Sequence, residues 1–193
     1  MSNFPHKQFA GTLYTFGHLQ PLEMKVPLNA DGSLAVDMNV TFGCHCFTEG
    51  FDASVHRPDH RYTYKGELRA FNPLRYECSL QLPRLIQAML KGTIYNADES
   101  YTYAAHITLE SIDGPQTYSI FFNLEKDKRV KTPAIRMFVK SAYLKPLVAK
   151  TNAQNWRFVS LAGQIAEAFP PREKKPKPAK KKKKAPQGLV SAS

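Results

Sequence analysis

The sequence predicts an α+β fold: an antiparallel β-meander with a central helical segment, strands on its N-terminal side and a disordered basic tail behind it. Three observations carry this. Apolar and polar residues alternate one by one from Leu34 to Cys46. A helical pattern with start and stop signals runs from Asn72 to Lys91. Three β-rich runs then follow, joined by links too short for a crossover.

The N-terminal stretch LYTFGHLQPLEMKVPL supplies a first strand, and NADGS reads as the turn after it. In the next strand Leu34, Val36, Met38, Val40, Phe42, Cys44 and Cys46 take one face. Asp37, Asn39, Thr41 and His45 take the other, the signature of a half-buried strand. Asn72 and Pro73 are a good N-cap and first helical residue, and Gly92 is a natural stop. Pro83 inside this stretch predicts two short helices in place of one. The runs YTYAAHITLE, QTYSIFFNLE and PAIRMFVKSAYL form the meander, separated by SIDGP and KDKRVKT. NWRFVSL is a further strand or leads directly into a last helix, LAGQIAEAF.

These elements make one domain over residues 1–169, with a Lys/Pro-rich tail over 170–193. Of the 193 residues, 42% are apolar, as in a globular protein. The net charge of +11 is concentrated at the end. From Arg172 onward eight lysines and one arginine face one glutamate, a net +8. The body holds 18 basic and 15 acidic residues, a net +3. A segment with nothing to bury and one sign of charge repels itself and attracts polyanions. Lys180, Lys181, Lys182, Lys183 and Lys184 are its densest run. No apolar stretch approaches the roughly 20 residues of a membrane span. The N-terminus lacks the charged start and apolar segment of a secretory signal, and the three cysteines are few and odd in number. A cytoplasmic bacterial protein with reduced thiols is the expectation, with no membrane partner.

Two regions concentrate chemistry. In TFGCHCFTEGFDASVHRPDH, the set Cys44, Cys46, His56 and His60 approaches a Cys2His2 zinc pattern. Its spacing departs from that pattern, and the two cysteines lie on the apolar face, so core cysteines are the first reading and a metal site the alternative. His45 points to the opposite face, where it can act as acid or base.

The second region is the polar side of the meander. Alternation places His106, Ser119, Asn123, Arg136 and Lys140 on one face, with Phe121 and Phe138 among them. Cations suit phosphate, exposed aromatic rings suit unpaired bases, and a positioned histidine can move a proton during RNA cleavage without a metal. Arg69 and Arg75 flank the first helix, where guanidinium groups and backbone N–H groups can hold phosphate.

The order of a helical segment followed by a meander, over residues 72–160, resembles the bacterial ribonuclease toxins of the barnase, colicin and RelE-like superfold. That resemblance implies metal-independent RNA cleavage by histidine, arginine, lysine, serine and tyrosine. By that resemblance the positions for those roles are His106, Arg136, Lys140 and either Ser141 or Tyr143. The words HCFTEGFD, RAFNPLRY and VKSAY also resemble a group of bacterial mobile-element proteins carrying stress or stationary-phase labels.

The functional expectation is a nucleic-acid-directed protein working without a cofactor: a metal-independent ribonuclease of toxin type. Its catalytic set is His106, His45, Arg136 and Lys140. Its binding set is Arg69, Arg75, Phe121, Phe138 and the lysines of the tail. RNA or DNA is the expected partner, and an antitoxin-like protein partner is left open. The alternatives are a non-enzymatic nucleic-acid-binding or adaptor protein and a small zinc protein.

Overall fold

The computed structural model describes residues 4–97, 102–111, 114–145 and 154–169, and the lysine run of the tail lies outside them. The chain opens with a small hairpin of β1 (Lys7–Phe9) and β2 (Thr12–Tyr14). A 3-10 turn over Gly17–Leu19 leads to β3 (Leu22–Pro27) and β4 (Ala35–His45), joined through the expected turn. Asn29 and Asp31 side chains accept from the Leu34 and Ser33 amides to close it.

A three-stranded sheet follows, made of β5 (Thr48–Gly50), β6 (Arg61–Tyr64) and β7 (Glu67–Phe71). Next come α1 (Pro73–Ser79) and α2 (Leu82–Met89), two helices separated near Pro83 as the sequence predicts. Asn72 caps α1, its Oδ1 accepting from the Arg75 amide at 2.9 Å. In α2 the buried residues Leu82, Leu85, Ile86 and Met89 recur at helical spacing and form its core stripe. Then β8 (Thr93–Asn96), β9 (Thr102–Ser111), β10 (Gly114–Lys126) and β11 (Ala134–Leu144) run antiparallel as a meander. A short β12 (Asn155–Arg157) passes straight into α3 (Phe158–Ile165), so the final stretch is both strand and helix.

The meander is not the whole sheet, which corrects the simple antiparallel architecture expected. Seven strands associate in the order β12-β8-β9-β10-β11-β4-β3, and β4 joins β11 in parallel. Alternation identifies a strand and its buried face but carries no information on direction, and β4 and β11 stand far apart in the chain.

The apolar face of β4 is buried as alternation requires, with Val36, Met38, Val40, Phe42 and Cys44 all in the core. Tyr118, Ile120, Phe122, Ile135, Met137 and Val139 continue that face across the neighbouring strands. α3 packs on it through Phe158, Leu161 and Ala162, with the Phe158 ring 6.3 Å from that of Phe122. A second part of the core lies under the small sheet, where the rings of Phe16 and Phe47 stack at 4.0 Å and Phe4 and Tyr62 meet them edge-on.

A pair of irregularities bends the sheet at one place. Between β10 and β11 the register steps from Phe121 opposite Ser141 to Phe122 opposite Val139, leaving Lys140 without a partner. Between β11 and β4 it steps from Val139 opposite Phe42 to Ser141 opposite His45, so Gly43 and Cys44 together face Lys140. Such bulges bend the strand, increase its twist and re-aim side chains. Gly43 fits this crowding: a Cβ there would stand 2.9 Å from the Lys140 carbonyl oxygen and 3.2 Å from the Phe138 ring.

Candidate functional site

The face of the main sheet turned away from α2 and α3 carries partly exposed side chains from several strands. Alternation places His106, Phe121, Arg136, Phe138 and Lys140 there. Register sets their neighbours. His106 stands opposite Ser119, which stands opposite Tyr143. His106 Nδ1 and Ser119 Oγ are 2.9 Å apart, and the Tyr95 ring lies 5.6 Å from the imidazole. Ser119 is fully buried, so its hydroxyl orients the imidazole and offers no accessible nucleophile. Burial, helped by the Lys145 charge, holds the His106 pKa below its ordinary value, which leaves the ring neutral near pH 7.

Beside this row the rings of Tyr143 and Phe121 stack at 5.5 Å. The Arg75 guanidinium lies 4.5 Å from the centre of the Tyr143 ring, and Lys145 Nζ is 5.9 Å from that of Phe121. At the bulge, Lys140 Nζ donates to Thr102 Oγ1 at 3.0 Å. Phe138, 44% exposed, sets its ring over Gly43.

The four residues expected to be catalytic share this side of the sheet but do not converge. Arg136 stands opposite Glu125 and pairs with it at 2.8 Å. Six residues of β10 separate that position from Ser119, about 20 Å of strand. Lys140 turns to Thr102, four residues along β9 from His106. His45 bonds Glu67, with Nε2 3.0 Å from both carboxylate oxygens.

Arg69 and Arg75 are committed to the protein itself. Arg75 Nη1 donates to the Thr48 carbonyl at 2.7 Å. Arg69 donates to Thr48 Oγ1 and to Glu67 Oε1, both at 3.3 Å. Together they tie the small sheet to α1 and to the end of β11. Next to Arg75 is a cavity of about 200 Å³ lined by Glu49, Asn72, Arg75, Cys78 and Tyr143. Burial acts to raise the Glu49 pKa, but hydrogen bonds from Asn72 and His56 and the Arg75 charge hold it below the usual carboxylate value. A carboxylate beside the guanidinium makes this cavity a poor place for phosphate.

The four residues of the alternative zinc pattern also do not gather. Cys46 is fully buried, its thiol pushed up to about 12 by burial, with Sγ 3.8 Å from the Val139 carbonyl. His56 bonds Glu49 at 3.1 Å, and His60 pairs with Asp59 at 3.2 Å. The residues that do meet are Cys44, His45 and Glu67. Glu67 is 22 residues from His45, and nothing in its local sequence marks it out.

The model of the YjaZ family matches residues 6–166, from just before β1 to just past α3. The chain belongs to the YjaZ family. The YjaZ match takes in each described strand and helix, including the open sheet face and the end of β4. It stops before the lysine-rich tail. Comparison with curated proteins and with solved structures finds no match. Among the described residues, no helix is long and apolar enough to cross a membrane.

Proposed function

We propose that this protein binds single-stranded nucleic acid across the open face of its main sheet, with the basic tail adding electrostatic attraction. The observation that supports this reading best is the Phe138 ring. It stands exposed on a sheet strand, seated over Gly43, with Lys140 two residues on. Phe121 and Tyr143, stacked on each other, lie on the same face, and Lys145 stands over Phe121. Exposed and stacked rings near ammonium groups suit unpaired bases and their phosphates. Lys140 and Lys145 make no ion pair among the described residues, and the one side-chain bond of Lys140, to Thr102 Oγ1, leaves its charge unneutralised.

Fluorescence anisotropy with a labelled single-stranded RNA, read against salt, tests this. The chain truncated after Phe169 should retain binding, with a shallower salt dependence than the full chain. Phe138→Ala in the truncated chain should weaken it by about 1 kcal/mol or more, fivefold or greater. Lys140→Ala should reduce the salt slope by about 0.7. Truncated chain without RNA affinity, or with affinity indifferent to Phe138→Ala, would sink the proposal.

A ribonuclease reading is favoured by one observation, a His106 imidazole held by Ser119, with its pKa lowered by burial and by the Lys145 charge. It requires RNA cleavage in EDTA that His106→Ala abolishes while binding persists.

A further inference from the structure

The end of β4 brings together three side chains of types that ligate transition metals. Cys44 and His45 close β4, and Glu67 opens β7 in the other sheet. One donor atom from each, Cys44 Sγ, a His45 ring nitrogen and a Glu67 carboxylate oxygen, lies within 4.8 Å of the other two. Consecutive residues on a regular strand send their side chains to opposite faces. Here the bulge that sets Gly43 and Cys44 together against Lys140 occupies this step, and the donors of Cys44 and His45 converge on Glu67.

We propose that Cys44, His45 and Glu67 form a zinc site, with three protein ligands and a fourth position for water. Thiolate, imidazole and carboxylate together suit this borderline-soft ion. Bonds of about 2.0–2.3 Å place tetrahedral ligand atoms roughly 3.5 Å apart, within the spread of these donors. The thiolate and carboxylate charges balance the dication. On binding, the Cys44 thiol releases its proton to solvent. His45 binds through Nε2, the atom that donates to Glu67 when no metal is bound; that proton leaves for solvent, and the coordinated ring is the Nδ1–H form.

The surroundings hold the ligands in place. Arg69 restrains Glu67 through Oε1 at 3.3 Å and bonds Thr48 Oγ1 at the same distance. Thr48 Oγ1 in turn donates to the Cys44 carbonyl at 2.8 Å. Partners of this kind orient metal ligands. The site shares only Cys44 and no histidine with the Cys2His2 pattern seen in the sequence, and it is independent of the nucleic-acid reading.

Cobalt is the probe. The full chain, reduced and stripped with a chelator, is titrated with Co²⁺ and then with Zn²⁺. Wild type should take up one equivalent of cobalt with a thiolate-to-cobalt charge-transfer band, and zinc should displace it. Cys44→Ser should remove the band. His45→Gln and Glu67→Gln should each weaken binding by about tenfold or more, as loss of a ligand demands at a minimum. His56→Ala should change nothing. Absence of stoichiometric binding, or binding without the thiolate band, would overturn the site. So would binding lost in His56→Ala but retained in His45→Gln. If Cys44→Ser fails to fold, His45→Gln and Glu67→Gln decide, since both side chains are well exposed.

Discussion

His18 and His106 show how single residues couple this fold to pH. His18 Nε2 lies 2.8 Å from Ser79 Oγ, whose proton goes to the Tyr76 carbonyl at 2.7 Å. The imidazole therefore donates from Nε2 and fastens the 3-10 turn to the end of α1. Burial lowers the pKa of His18, and burial with the Lys145 charge lowers that of His106, both from an ordinary 6.5. As pH falls the unfolded chain binds these protons first, so their contribution to stability is full above pH 6.5 and declines below it. Thermal melts across that range should show the wild type losing more stability on acidification than His18→Gln or His106→Gln. Parallel curves for all three would refute the assignment.

The bulge around Lys140 is the element on which both sites depend. It turns Lys140 toward Thr102, seats Phe138 over Gly43, and brings the donors of Cys44 and His45 together. Gly43→Ala would press a methyl group into the Lys140 carbonyl, which is backbone and cannot rotate away. A loss of about 1–3 kcal/mol by denaturant unfolding is expected, as for other overpacking changes. Little of this was legible in the sequence. Period-two alternation found β4 and its buried face, and Asn72, Pro83 and Gly92 marked the two helices, because those signals are local. The bulge is set by neighbouring strands and leaves no local pattern. The small sheet was missed because its strands are short, at three to five residues, and mix exposed with buried positions irregularly. Alternation put His106, Arg136 and Lys140 on one face, but only register shows Arg136 at the far end with Glu125.

At the scale of the whole molecule, charge and fold are separable. The described core closes at α3, where Phe169 folds back over Gly163 and the Glu167 carboxylate pairs with Lys126. The family match ends at residue 166, while a net +8 lies from Arg172 onward. Removing residues 170–193 should therefore leave the melting temperature unchanged within about 1 °C, because a segment of this Lys/Pro-rich composition has little apolar surface to bury. A drop of several degrees would show that the tail supports the core.

The parallel pairing of β4 with β11 has a consequence for the growing chain. β3 can cover one edge of β4 as soon as both are made, but the other edge waits for a strand that starts at Ala134. At a synthesis rate of about 5–20 residues per second, that interval is on the order of ten seconds. Throughout it, a nascent β4 would hold out an unpaired edge and an apolar row from Val36 to Cys44. Until β11 is made, that edge is open to pairing with other chains.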